Sequence, residues 1–202
     1  MTRPTNSLPP DYFEAIYARD PDPWGFADSA YERAKYDATL AALARPRYGR
    51  VLEVGCSIGV LTRDLAPRCE SLLALDAAAT PLDAARARCA GVPQVGFRQM
   101  RVPQDWPAAE APFDLILLSE VVYYLDVADV ARLAERVRAS LAPGGEVLLV
   151  HWTGATDYPL SGDAATEMFL RASAPFASPT RQSRAGRYRL DRLHAIPAAA
   201  AG

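Results

Sequence analysis

Val51-Leu-Glu-Val-Gly-Cys-Ser-Ile-Gly-Val-Leu-Thr62 decides the fold. Branched apolar residues run into Glu53, the chain turns through Gly55 and Gly59, and helix-forming residues follow, which predicts a buried strand, a tight loop and a helix start. Glycine at such a turn takes a positive φ or lets a ligand come close to the backbone. The helix N-terminus behind it offers unpaired N–H groups. Asp76 ends the next apolar run, Ser71–Asp76, about 20 residues on, where a nucleoside ribose is met in folds of this layout. Two readings compete. A dinucleotide fingerprint G-x-G-x-x-G aligned on Gly55 places Ser57 and Val60 where the second and third glycines belong. The pattern E/D-x-G-x-x-x-G, suited to a nucleoside with an amino-acid tail and no phosphate, is matched in register by Glu53, Gly55 and Gly59.

That second pattern resembles motif I of the Rossmann-like S-adenosylmethionine-dependent methyltransferases. Around it, apolar runs and helical periods alternate. Strands are predicted at Arg50–Val54, Ser71–Asp76, Val95–Met100, Phe113–Ser119 and Glu146–Trp152, with a last strand at Arg187–Leu193. Helices are predicted over Tyr12–Tyr17, from the capping box Ser29-Ala-Tyr-Glu32, over Gly59–Ala66, from Thr80 as N-cap, from Asp126 through Leu141, and over Ala164–Ala172. Pro143-Gly-Gly145 reads as a turn, Thr153–Asp163 as a loop, and Ser173–Gly186, with Pro175, Pro179 and nearby arginines, as a long mobile loop. Five βα alternations imply an α/β fold: a Rossmann-like, doubly wound, mostly parallel sheet with helices on both faces and an N-terminal helical cap. The expected division is a cap or lid over residues 1–48, a core over 49–194 and a flexible tail over 195–202, one domain overall.

Composition narrows the function. At 202 residues, half of them hydrophobic and 23% charged, the chain suits one globular domain. The runs Leu115–Leu118 and Val147–Val150 have strand length, so no membrane span is expected. The start lacks the apolar core of a secretory signal, which places the protein in the cytoplasm. Cys56, Cys69 and Cys89 are odd in number without C-x-x-C spacing, which argues for reduced thiols and no metal site. A net charge of −2 gives no electrostatic reason to expect nucleic acid and favours small molecules.

In a doubly wound sheet the ligand lies at the carboxyl ends of the strands. That rule nominates Gly55–Gly59, including Cys56 and Ser57, then Asp76 with Ala77, Met100, Arg101 and Val102, Ser119, Glu120 and Val121 through Tyr124, and His151–Thr153. Asp76 suits a ribose diol; Met100–Val102 suit an adenine face or edge. Glu120 and His151 are candidate bases for an amine that must shed a proton, and Tyr123, Tyr124 and Trp152 candidate stacking walls. Ser119-Glu-Val-Val-Tyr-Tyr124 lacks the Asn/Asp-Pro-Pro-aromatic motif of base-amino methyltransferases and the two-glutamate loop of protein-arginine methyltransferases. From physics alone Trp24, Phe26 and Tyr31 read as plugs at the end of the core.

Tyr12–Phe26 with Asp20-Pro-Asp-Pro-Trp-Gly-Phe26, Tyr31-Glu-Arg-Ala-Lys-Tyr36, Leu52–Gly59, Phe113–Leu125, Tyr158–Asp163 and Tyr188–Asp191 together resemble the nodulation-protein-S family, from about Tyr12 to Leu193. The resemblance implies S-adenosylmethionine as methyl donor, with S-adenosylhomocysteine as product. It implies N-methylation of the free amino group on a deacetylated chitooligosaccharide, and an N-terminal segment folded over the donor. It also raises Trp24, Tyr31 and Lys35 to site residues. Tyr124, in the segment after strand 4, stands with Glu120 and His151 as a catalytic candidate. O-methylation of another small molecule, a non-catalytic donor-binding subunit and a nicotinamide-dependent dehydrogenase are the alternatives.

Overall fold

The computed structural model describes residues 3–197. The expected tail beyond Pro197 lies outside them. Seven strands form one sheet in the order β3-β2-β1-β4-β5-β7-β6. β1 (Tyr48–Val54), β2 (Cys69–Asp76), β3 (Val95–Gln99), β4 (Phe113–Ser119) and β5 (Leu141–Trp152) run parallel, whereas β7 (Tyr188–Ala195) is antiparallel to both β5 and β6 (Ala177–Ala185). Among the described residues no helix is long and apolar enough to cross a membrane.

Strand residues alternate between two faces, and the register makes both faces apolar. Val51 pairs with Leu72 and with Leu115, and these three pack with Leu148 on Leu61 and Leu65 of α3 (Val60–Leu65) and Tyr36 of α2 (Ala30–Ala41). Leu82 of α4 (Thr80–Arg88) joins Ala74 on that side. The opposite set, Leu52, Val54, Ile116, Leu118, Val147 and Leu149, packs on Val130, Leu133 and Val137 of α5 (Val127–Ser140) and Phe169 of α6 (Gly162–Ser173). Helices therefore cover both faces, as the near-continuous apolar runs require. Each fully buried Leu, Val or Ile contributes about 1.5–3 kcal/mol.

Helix ends follow their caps. Ser29, Asp126 and Ser161 each accept the amide of the residue three positions on. Gly59 (φ +76°) is the N-cap of α3 and meets α4 face to face: a Cβ there would lie 2.9 Å from both Cα and Cβ of Ala85. Ahead of α2, the short helix α1 (Pro10–Tyr17) lies against the start of α4.

The structure departs from the sequence reading in four places. Thr80 is not a cap: α4 starts at Thr80, its N-cap is Ala79, and Glu14 of α1 supplies the acceptor. Leu141 belongs to β5, not α5. The Pro143–Gly145 turn is an irregularity inside that strand, where Phe113 pairs with Leu141 but Leu115 with Glu146. The expected loop over Ser173–Gly186 is largely strand β6, an edge strand whose side chains past Ala177 are exposed. Proline and arginine there are edge-strand devices that discourage pairing with another chain, and the sequence reading took them for loop signals. Finally, β7 extends to Ala195, with Ile196 bonded to Phe176, inside the segment expected to be tail.

Candidate active site

The strand order reverses between β1 and β4, the topological switch point where doubly wound sheets bind ligands. A cavity of about 600 Å³ opens there, between the strand ends below and α1, the Asp20–Ser29 loop and α2 above. That volume suits a cofactor with part of a substrate.

The floor is the glycine loop. Gly55 (φ +83°) leaves no room for a side chain: a Cβ would lie 2.3 Å from Val121 Cγ2 and 3.0 Å from the Ser119 carbonyl. Its amide and that of Cys56 donate to the Leu75 carbonyl, tying β1 to β2. Ser57 is also left-handed (φ +50°). Its amide donates to Asp76 Oδ2 at 2.9 Å, and the Ala78 amide donates to Oδ1 at 3.0 Å. An ionised carboxylate has about four acceptor positions, so each Asp76 oxygen keeps one for a diol. Burial pushes the Asp76 pKa up to about 6, against the pull of its backbone bonds.

A buried charge array lies across the cavity. Lys35 Nζ is 2.6 Å from Glu120 Oε1 and 2.8 Å from Glu32 Oε2. Glu120 (φ +56°) also accepts from the Tyr123 hydroxyl at 2.7 Å and the Trp152 amide at 2.8 Å. Burial works against the Lys35 charge, but Glu120 and Glu32 outweigh it and its pKa is raised. The Glu32 carboxyl is pushed up, mainly by burial, despite Lys35. Two carboxyl groups thus face one ammonium.

Aromatic rings wall the remainder. Tyr124 meets Phe13, Tyr123 and Tyr158 at centroid distances of 4.6–4.8 Å, and Tyr31 meets Trp152 edge-on at 5.6 Å. The Tyr31 hydroxyl is buried without a partner among the described residues. Burial drives the hydroxyl pKa of Tyr123 and Tyr124 far upward, so both stay neutral donors.

Of the residues nominated from sequence, Trp24, Tyr31, Lys35, Gly55, Ser57, Asp76, Ala77, Met100, Arg101, Val102, Ser119, Glu120, Val121 and Tyr124 line this cavity. Four do not. Glu53 is 1% exposed and lies behind the glycine loop, beside a water-sized chamber of about 30 Å³ shared with Tyr36 and Cys56. Its Oε2 has no partner among the described residues, and burial pushes its pKa up to about 7. Cys56 packs on Ala74 and Leu82, and Gly59 on Ala85. His151 is fully buried: its Nε2 accepts the Val122 amide at 3.1 Å, its Nδ1 faces Thr166 Oγ1 at 3.4 Å, and burial lowers its pKa to about 4. It braces the turn after β4 and does not reach the cavity. Its place in β5, in phase with Val147 and Leu149, was the available signal.

Sequence reasoning missed Glu32, Tyr17, Phe13, Leu8 and Tyr158 as lining residues. Glu32 was legible, since a position three before Lys35 shares its helix face. Leu8 had no signal: its amide reaches the Tyr124 carbonyl, a contact made only in the fold.

A family model described as a methyltransferase domain matches residues 51–145. The chain is similar to nodulation protein S of Rhizobium tropici, 33% identical over 63% of this chain and 53% of that one. It is 36% identical to a candidate methyltransferase from Pseudomonas syringae whose crystal structure superposes with a TM-score of 0.71, covering 82% of this chain and 99% of that one. The N-methyltransferase NodS of Bradyrhizobium japonicum, solved with S-adenosylhomocysteine, superposes with a TM-score of 0.77 at 23% identity, over 92% and 97% of the two chains. Together these place the chain in the Rossmann-like class of S-adenosylmethionine-dependent methyltransferases. Within that class it is similar to nodulation protein S, at 31–33% identity over 60–63% of this chain. Its matches span 53–59% of the length of the first three such relatives.

The chain's own residues fit the donor. Asp76 retains open acceptor positions, Gly55 keeps the loop clear of side chains, and the Glu32–Lys35–Glu120 array sets two carboxyl groups against one ammonium where a cationic sulfonium would lie. With Asp76 assigned as the ribose acceptor, a role that needs its ionised form to serve both hydroxyls, donor affinity is expected to be flat from pH 8 to 7. It should then weaken, approaching tenfold per unit, below about pH 6. Calorimetric titration with S-adenosylhomocysteine reads this directly. Asp76→Asn should weaken binding at least tenfold and remove the acid dependence, and a flat wild-type profile down to pH 5 would contradict the assignment.

Proposed function

We propose that the protein methylates an amino nitrogen of a small molecule, with an amino sugar as the favoured acceptor class. In this reading residues 1–48 form the cap and 49–194 the catalytic core. The observation that carries the proposal is the carboxyl-rich Glu32–Lys35–Glu120 array beside an aromatic-walled cavity, which suits a polar amine and stacks an apolar sugar face. The similarity to an N-methyltransferase NodS supports the nitrogen acceptor.

S-adenosylmethionine, when bound, supplies an electrophilic methyl group. Asp76, Ser57, Ala77 and Met100–Val102 hold its nucleoside end, and Trp24, Tyr31 and Val121 close around the remainder. Glu120 is bonded to Lys35, Tyr123 and the Trp152 amide, so it acts as a fixed anion that orients the ammonium and is a poor sink for its proton. The proton leaves to water at the cavity mouth. Tyr124 orients the acceptor as a neutral donor, and positioning supplies much of the acceleration.

The test is a transfer assay with S-adenosylmethionine over a panel of amino sugars, simple amines and matched alcohols, with the product's methyl position read by NMR. N-methyl product on the amino sugars is the expected result. Product methylated on oxygen alone would overturn the nitrogen acceptor, and tight donor binding with no turnover on any acceptor would favour the non-catalytic subunit.

A further inference from the structure

α4 has no cap of its own. Its N-cap, Ala79, is helical in φ and ψ and has no acceptor side chain, yet its first amides are not orphaned. The Glu14 carboxylate accepts from the amides of Ala79 and Thr80, the latter at 3.3 Å, and from the Thr80 hydroxyl at 2.6 Å. An acid at that end also complements the helix dipole. Three residues on and on the same helix, the Tyr17 hydroxyl lies 2.5 Å from Ser57 Oγ. Ser57 is a non-glycine residue in the left-handed region, held there by this contact and by its amide bond to Asp76. The contacts close a ring: Glu14 to Thr80, along the chain to Asp76, across to Ser57, over to Tyr17, and back along α1.

We propose that Glu14 and Tyr17 are positioning residues for the methyl donor: from α1 they clamp the glycine loop and the loop after β2 into the one arrangement in which Asp76 and Ser57 face the cavity. Glu14 does not line that cavity, so its effect is transmitted through the loop. The clamp makes donor affinity depend on a helix outside the Rossmann-like core. This inference rests on the methyltransferase reading.

Two measurements on the full chain test it. In calorimetric titration, Glu14→Ala is expected to weaken S-adenosylhomocysteine binding about tenfold, Glu14→Gln less, because an amide keeps one acceptor oxygen. Glu14→Ala combined with Tyr17→Phe should lose less than the product of the single losses, since either change alone already frees one end of the clamp. In the ligand-free protein, hydrogen exchange should show the Ala79 and Thr80 amides losing protection in Glu14→Ala while amides of β4 and β5 keep theirs. Absence of binding by the wild-type protein would overturn the donor site and the clamp with it. Wild-type binding with unchanged affinity in every variant, or exchange that rises uniformly across the sheet, would overturn the clamp alone.

Discussion

Lys35→Met is expected to lower stability by about 3–5 kcal/mol, because it strips the only cation from between two carboxylates whose side chains are 9% and 14% exposed. At this chain length that is a fall in melting temperature of roughly 10 °C. The deficit should depend on pH in a defined direction. Without Lys35 the folded-state pKa of Glu32, already raised by burial, rises further above its unfolded value, so the folded variant binds more protons than the unfolded chain. Its stability is then greatest in acid and is lost as pH rises through that raised value. Melting curves at pH 5 and pH 8 should therefore show the variant closer to wild type at pH 5. Adding Glu32→Gln should recover part of the loss by removing one of the two unpaired acids. A variant as stable as wild type at pH 8 would mean that the array is not a coupled unit.

Gly55→Ala is expected to weaken donor binding by at least 100-fold. The methyl group would meet Val121 Cγ2 at 2.3 Å and the Ser119 carbonyl at 3.0 Å, at a φ of +83° that alanine adopts only under strain. Relief of the clash requires the turn after β4 to move, and that turn carries Glu120. Calorimetric titration and the thermal shift produced by S-adenosylhomocysteine should both lose their signal, while the ligand-free protein stays folded. Adding Val121→Ala relieves the side-chain contact but not the backbone conformation, so recovery should be incomplete. Full affinity in Gly55→Ala would show that the loop can re-form elsewhere.

The parts of the fold that were legible are those where neighbours in sequence decide the outcome. Apolar runs such as Phe113–Ser119 announce strands buried on both faces, and the Glu53-x-Gly55-x-x-x-Gly59 spacing announces the turn. From those, the strand-end rule led to Asp76 and Glu120 without any contact being known. Direction was harder. Glu53 and His151 have the right chemistry at the right strand ends, yet the two-residue alternation turns each below the plane of the loops. β6 was missed because pairing with β7 makes it a strand, against the composition of its exposed residues. Glu14 was out of reach, since its partners lie 65 and 66 positions on in the chain.

The antiparallel course of β7 has a consequence for how this architecture diversifies. Because β6 runs up and β7 runs down, their connection at Gly186–Arg187 emerges at the same end of the sheet as the donor loops. There the Thr153 amide bonds to the Arg187 carbonyl, and the Arg187 guanidinium sits 5.7 Å over the Trp152 ring. The hairpin is an edge unit, paired to the sheet through β7 alone, and it contributes no residue to the glycine loop or to the Asp76 loop. Lengthening or recolouring its tip reshapes the rim beside Trp152 and Tyr31 while the donor cradle keeps its geometry.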